Sequence, residues 1–125
     1  MPDIISSALT HMMNCKKVGK SKCKMPFSSL LVSVLEIMHK NGYIKSYKKE
    51  KDKFDYIIVE IGNLNECKAI RPRFYVQKDD YDKYIRRFLP ARNLGILIVS
   101  TSQGLLTHAQ AIEKGVGGSL LAYCY

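Results

Sequence analysis

The feature that most constrains this 125-residue chain is a run of four large apolar residues, Ile96-Leu97-Ile98-Val99, that stops abruptly at Ser100-Thr101-Ser102-Gln103-Gly104. Four such residues in a row, preceded by Gly95, read as a strand buried on both faces. A fold that buries this strand must supply layers on either side of it and bring its polar end to the surface. Tyr56-Ile57-Ile58-Val59-Glu60-Ile61 is a second β-branched stretch and predicts another strand. No apolar run reaches the 18 or more residues that a spanning helix needs, and the first residues lack the basic start and long apolar stretch of a secretory signal. With 46% hydrophobic and 25% charged residues the chain has the composition to build a core, which disordered sequences lack.

Helical spacing alternates with these strands. Ile4, Ile5, Ala8, Leu9, Met12 and Met13 recur at helical intervals behind Asp3. Ser28 or Ser29 caps a second predicted helix running to Lys40, with Leu30, Leu31, Val34, Leu35 and Met38 inward, and Asn41-Gly42 ends it. Met25-Pro26-Phe27 reads as a short extended piece, Tyr43-Ile44 and Tyr47 as a strand, and Lys48 to Lys53 as a polar turn closing a hairpin with Tyr56–Ile61. Ala69 to Val76 looks extended, with Pro72 favouring a sheet edge. Tyr81, Tyr84, Ile85 and Phe88 predict a third helix, Thr107 to Lys114 a short fourth, and Ser119 to Tyr125 a final strand. The expected architecture is α+β: an N-terminal α/β lobe over residues 1–68, packed on a mostly β lobe with a short helix over residues 69–125.

The net charge of +9 is concentrated in the front half. Cys15 to Lys24 holds Lys16, Lys17, Lys20, Lys22 and Lys24 with no acid, a block that repels itself and reads as a solvated loop or a phosphate-facing surface. Cys15, Cys23, Cys67 and Cys124 form no C-x-x-C pair, and His11, His39 and His108 stand at no ligand spacing to them, so no metal site and no cofactor is expected. The thiols read as reduced, with Cys23 the most exposed. Gly115-Val116-Gly117-Gly118 follows a helix and precedes a strand, the reverse of the order a dinucleotide fingerprint requires. His108 near Ser100 and Ser102 gives half a triad with no carboxylate placed by spacing, and a surface histidine is the better reading. No enzyme is expected. The hydroxyl run is either a polar turn or an RNA contact, since small donor/acceptor side chains beside exposed amides reach bases, ribose hydroxyls and phosphates together.

The run Val99-Ser100-Thr101-Ser102-Gln103-Gly104, then Gly115-Val116-Gly117-Gly118 and Leu121-Ala122-Tyr123, resembles the C-terminal signature of the ribosomal protein S8 family. Ala8-Leu9-Thr10 with Asn14, Pro26 with Ser28, and Gly42-Tyr43-Ile44 resemble the family's front half. Gly62-Asn63-Leu64-Asn65-Glu66-Cys67 and Pro72-Arg73-Phe74 look like its archaeal, eukaryotic and plant-mitochondrial branch, while the Ser-Thr-Ser tail looks bacterial. The resemblance implies a non-enzymatic constituent of the small ribosomal subunit that binds the central domain of small-subunit rRNA, supports its assembly and meets neighbouring ribosomal proteins, with no membrane and no small-molecule substrate. By matching positions, Ser100, Thr101, Ser102 and Gly104 enter an irregular rRNA stem, Gly117 and Gly118 shape the adjacent wall, and Thr10, Asn14, Lys16 and Lys17, with Lys20 beside them, meet a second rRNA helix. The chain departs from the bacterial pattern at Gln103, where Lys is common, and at Ala109, Gln110 and Ile112, where acids and Arg are usual. The alternative is a translational regulator using the same fold on a messenger mimic of the stem. A start close to the family's first helix leaves no room for a presequence, and the excess of Lys over Arg with the mixed branch features favours a mitochondrial ribosome over a cytosolic or plastid one.

Overall fold

The computed structural model describes residues 4–51, 53–70, 75–90 and 94–125. The expectations placed on Asp3, Pro72, Arg73 and Phe74 lie outside the described residues. The chain divides into two compact units, Met1–Glu66 and Cys67–Tyr125. The division falls there because Cys67 and Lys68 pair with Cys124 and Tyr123 in the second sheet.

In the first unit, α1 (Ile4–Lys17) and α2 (Ser29–Lys40) pack on a three-stranded antiparallel sheet of β1 (Lys22–Pro26), β2 (Ile44–Lys51) and β3 (Asp55–Ile61), in the order β1-β3-β2. The helical periodicity of the sequence is the cause: Ile5, Ala8, Leu9 and Met12 on α1, and Leu31, Val34, Leu35 and Met38 on α2, are buried, while Leu30 is half-buried. Ser28 occupies the N-cap of α2 with extended backbone but makes no side-chain capping bond, so packing rather than the cap fixes this helix. On the sheet, Cys23, Met25, Ile57 and Val59 point into the core, and Lys22, Lys24, Tyr56 and Ile58 share the opposite face.

Three expectations are corrected in this unit. The Lys48–Lys53 segment is not a turn, because β2 continues to Lys51 and leaves only residues 52–54 between the strands. Its side chains are largely solvent-facing, so backbone pairing to β3 holds it, and such pairing has no apolar signature. The basic block is not one loop: Cys15 to Lys17 close α1 and Lys22 to Lys24 open β1. Cys23 is buried rather than exposed, because the alternation Lys-Cys-Lys-Met turns both lysines outward and both sulfur-bearing residues inward.

The second unit is a sheet with strand order β4-β8-β6-β7, made of β4 (Cys67–Ala69), β8 (Gly118–Cys124), β6 (Ile96–Thr101) and β7 (Gly104–Thr107), with β5 (Tyr75–Val76) also on β8. All these pairs are antiparallel. Two helices complete it, α3 (Tyr81–Phe88) and α4 (His108–Lys114). Leu97, Val99 and Leu120 of the central strands form its core with Tyr81 and Ile85 of α3 and Ala111 of α4. The Tyr81 hydroxyl donates to the Val116 carbonyl at 2.9 Å, which satisfies the one polar atom this large buried ring carries inward. Thr107 and Gln110 form a reciprocal capping box that starts α4, and Gly115 ends it with a left-handed backbone. The departure at Gln110 thus serves the helix N-terminus. The four helices and two antiparallel sheets of the described residues are an α+β fold, as the sequence predicts.

Candidate RNA interface

The hydroxyl run forms the tip of the β6–β7 hairpin. Thr101 pairs with Gly104 and Ser100 with Leu105, leaving Ser102 and Gln103 as a two-residue turn. Thr101 fixes this turn from within: its Oγ1 donates to the Gly104 carbonyl at 2.8 Å and accepts from the Gln103 N–H at 3.0 Å. Ser102 is left exposed at the apex, and Ser100 and Thr101 are half-buried. Gly104 has φ +101°, a backbone that side-chain-bearing residues rarely adopt, with open space where a Cβ would stand. The glycine is therefore required by conformation here.

Gly117 and Gly118 are required by close approach. A Cβ on Gly118 would run into the Ser100 carbonyl and come within 2.9 Å of Val99 Cγ1, and one on Gly117 would run into the Val76 carbonyl. The glycine pair lets β8 pass tightly beneath the hydroxyl strand, where Ser100 pairs with Ser119, and against β5. Ser100, Thr101, Ser102, Gly104 and Gly118 are thus gathered at one end of the second sheet.

Thr10, Asn14, Lys16, Lys17 and Lys20 belong to the first unit. Thr10, Asn14 and Lys17 recur at i, i+4 and i+7 along the solvent face of α1 and are all exposed. The helix ends in a paired motif: the Gly19 N–H donates to the Lys16 carbonyl at 3.0 Å and the Lys20 N–H to the Cys15 carbonyl at 2.8 Å, with Gly19 at φ +82°. The ammonium groups therefore radiate from a fixed helix terminus. Lys16 Nζ donates to the Asn65 carbonyl at 3.3 Å, which ties it to the chain itself, whereas Lys17 and Lys20 extend into solvent. An array of lysines and small polar side chains on a rigid surface is suited to phosphate oxygens, each lysine acting as a point charge.

His108 corrects the sequence reading. It is buried, not a surface residue, and its Nδ1 accepts the Leu97 N–H at 3.1 Å, extending the β7 edge along β6 by one bond. That bond requires a neutral ring with the proton on Nε2, and desolvation lowers its pKa below the ordinary 6.5. The imidazole nitrogen facing the protein is engaged with backbone, so it has no lone pair to serve as a base toward Ser100 or Ser102. Nothing in the sequence gave away this burial, because it depends on where β7 stops. Burial, with Cys67 as its cross-strand partner, raises the Cys124 thiol, and all four cysteines are buried thiols outside any disulfide.

The family model for ribosomal protein S8 matches residues 3–125, essentially the whole chain and both units. The chain belongs to the ribosomal protein S8 family. Members are structural RNA-binding proteins of the ribosome, and the chain is accordingly a small-subunit ribosomal protein that binds rRNA. Both surfaces described above lie within the S8 match, the hydroxyl hairpin near its C-terminal end and the lysine-tipped helix near its start.

Proposed function

We propose that this protein binds the central domain of small-subunit rRNA and supports its assembly, with the β6–β7 hairpin as the specific contact and the α1 terminus as an electrostatic one. The observation that carries this reading is the division of labour at the hairpin tip. Thr101 spends its hydroxyl on the turn, so Ser102 is presented at the apex without a mobile side chain to order on binding. Preorganised short donors suit an irregular RNA stem, where a groove distorted from A-form exposes base edges. Gly104 and Gly118 supply the turn and the tight strand passage that hold this arrangement, and Gly117 adds the contact to β5. Thr10, Asn14, Lys17 and Lys20, with Lys16 tethered beside them, then meet phosphates of a second rRNA helix. Neighbouring ribosomal proteins are the remaining partners.

The compartment we favour is the mitochondrial ribosome, on the excess of Lys over Arg and the mixed branch features of the sequence. A sucrose gradient tests both levels. Co-sedimentation with small subunits from purified mitochondria, persisting at salt that strips weakly bound factors, is the expected result. Recovery only in the cytosolic subunit peak overturns the compartment, and recovery only at the top of both gradients overturns the ribosomal role.

A further inference from the structure

The first unit carries a third surface, on the sheet face turned away from its helices. By register Lys24 stands beside Ile58 and Lys48, and Pro26 beside Tyr56 and Glu50. At the margin of this face an open groove of about 860 Å³ is lined by Lys24, Pro26, Lys53, Phe54, Asp55 and Tyr56 and reaches His11 of α1. Phe54 is 82% exposed, more than any other large apolar residue described. One exposed apolar residue needs no explanation by itself. This one lines the groove with a cation that already occupies an aromatic face: Lys24 Nζ lies 4.0 Å from the Tyr56 ring centroid. The carboxylates nearby are engaged, Glu50 with Lys48 at 3.1 Å and Asp55 with Lys49 at 3.9 Å. The two lysines that line the groove, Lys24 and Lys53, take part in neither of these ion pairs.

We propose that this groove holds an unpaired nucleotide of single-stranded RNA, its base stacked on Phe54 and its flanking phosphates met by Lys24, held over the Tyr56 ring, and by Lys53. The inference rests on the RNA-binding reading and adds to it a class of contact that neither the hairpin tip nor the α1 terminus makes. A flat exposed ring flanked by ammonium groups fits a flat ligand on an anionic backbone, since every base has a stacking face and every linkage a charge. An apolar protein segment would leave Lys24 and Lys53 without anionic partners, whereas an RNA backbone supplies them.

The chain contains no tryptophan, so Phe54→Trp installs a single fluorescent reporter in the groove. The probe is a non-pairing single-stranded RNA of about twelve nucleotides, in the range such sites occupy. Saturable quenching by this probe is expected, with none from an RNA duplex of equal length, from inorganic phosphate or from an oligoglutamate peptide. Phe54→Ala, in an exposed turn, should keep the far-ultraviolet circular dichroism of the parent and weaken probe binding about tenfold at an unchanged salt slope. Lys24→Ala should lower that slope by about one. Equal probe binding by the parent and Phe54→Ala overturns the proposal, and so does equal quenching by oligoglutamate, which would make the groove a docking site for an acidic protein. The same samples are titrated with the cognate rRNA stem. A stem bound normally while the probe is ignored removes the groove alone, whereas loss of both removes the RNA-binding reading beneath it.

Discussion

The Thr101 hydroxyl closes the β6–β7 turn onto the Gly104 carbonyl at 2.8 Å, and the same oxygen accepts the Gln103 N–H. Thr101→Val keeps the shape and removes both bonds, so it should cost about 1 kcal/mol of stability as well as RNA affinity. Ser102→Ala, by contrast, should leave the thermal midpoint in place and cost about 1–3 kcal/mol on the cognate stem alone. Scanning fluorimetry beside stem titrations separates the two variants. Equal losses by Ser102→Ala on cognate and scrambled RNA would return the apex to an ordinary polar turn.

The α1 terminus should contribute affinity without sequence preference. Lys17→Ala and Lys20→Ala should each reduce the slope of log K against log salt by roughly one, on cognate and scrambled RNA alike. Lys16→Ala should change it less, because Lys16 Nζ is bonded to the Asn65 carbonyl. Filter binding across a salt series reads all three, and a slope that none of them moves would leave these lysines as solvated charge.

Gly118→Ala and Gly104→Ala should differ sharply. The first drives a Cβ into the Ser100 carbonyl, with both partners inside paired strands that cannot give way, so the second unit should fail to fold cooperatively. The second meets no atom within 4 Å and bears only the strain of φ +101°, of order 1–3 kcal/mol. Dispersed amide resonances lost throughout residues 67–125 in one variant and kept in the other are the expected result.

His108 makes stability depend on pH in one direction. Its folded pKa lies below 6.5, so on acidification the unfolded chain takes up the proton first. The contribution of the neutral ring is complete above about pH 6.5 and is lost as pH falls below that value toward the folded pKa. His108→Gln, whose side-chain oxygen can accept the Leu97 N–H, should flatten the profile of denaturation midpoint against pH between 5 and 7, within about the range where histidine titrates. A profile of unchanged steepness would show that another group controls it.

Leu35 is fully buried on α2, so Leu35→Ala should destabilise the first unit by about 2–5 kcal/mol in urea titration. A midpoint within error of the parent would mean that the helix face is misassigned.

The helices and central strands were legible because their apolar residues repeat at 3.6 or crowd together, as in Ile57 to Ile61 and Ile96 to Val99. The hairpin tip was legible as a cluster of hydroxyls ending in glycine, but the allocation of Thr101 to the turn and Ser102 to the apex depends on register. β2 was not legible past Tyr47, since lysines and glutamate on an edge strand look like a turn when only polarity is read. Cys23 carried a period-two signal between Lys22 and Lys24 that the charge block obscured. His108 and the Phe54 groove depend on where strands end, and no local pattern encodes that.

The lysines of β2 have a consequence for the time before any RNA is present. Among the described residues β2 pairs only with β3, so its outer edge offers amides and carbonyls to any other extended chain. Lys45, Lys48, Lys49 and Lys51 along it make the approach of an identical edge electrostatically unfavourable, and β1 ends its own edge at Pro26, which has no N–H to donate. Both open margins of the first sheet are thus poor templates for self-pairing. The ammonium groups that discourage self-pairing along β2 are of the charge that a polyanion neutralises.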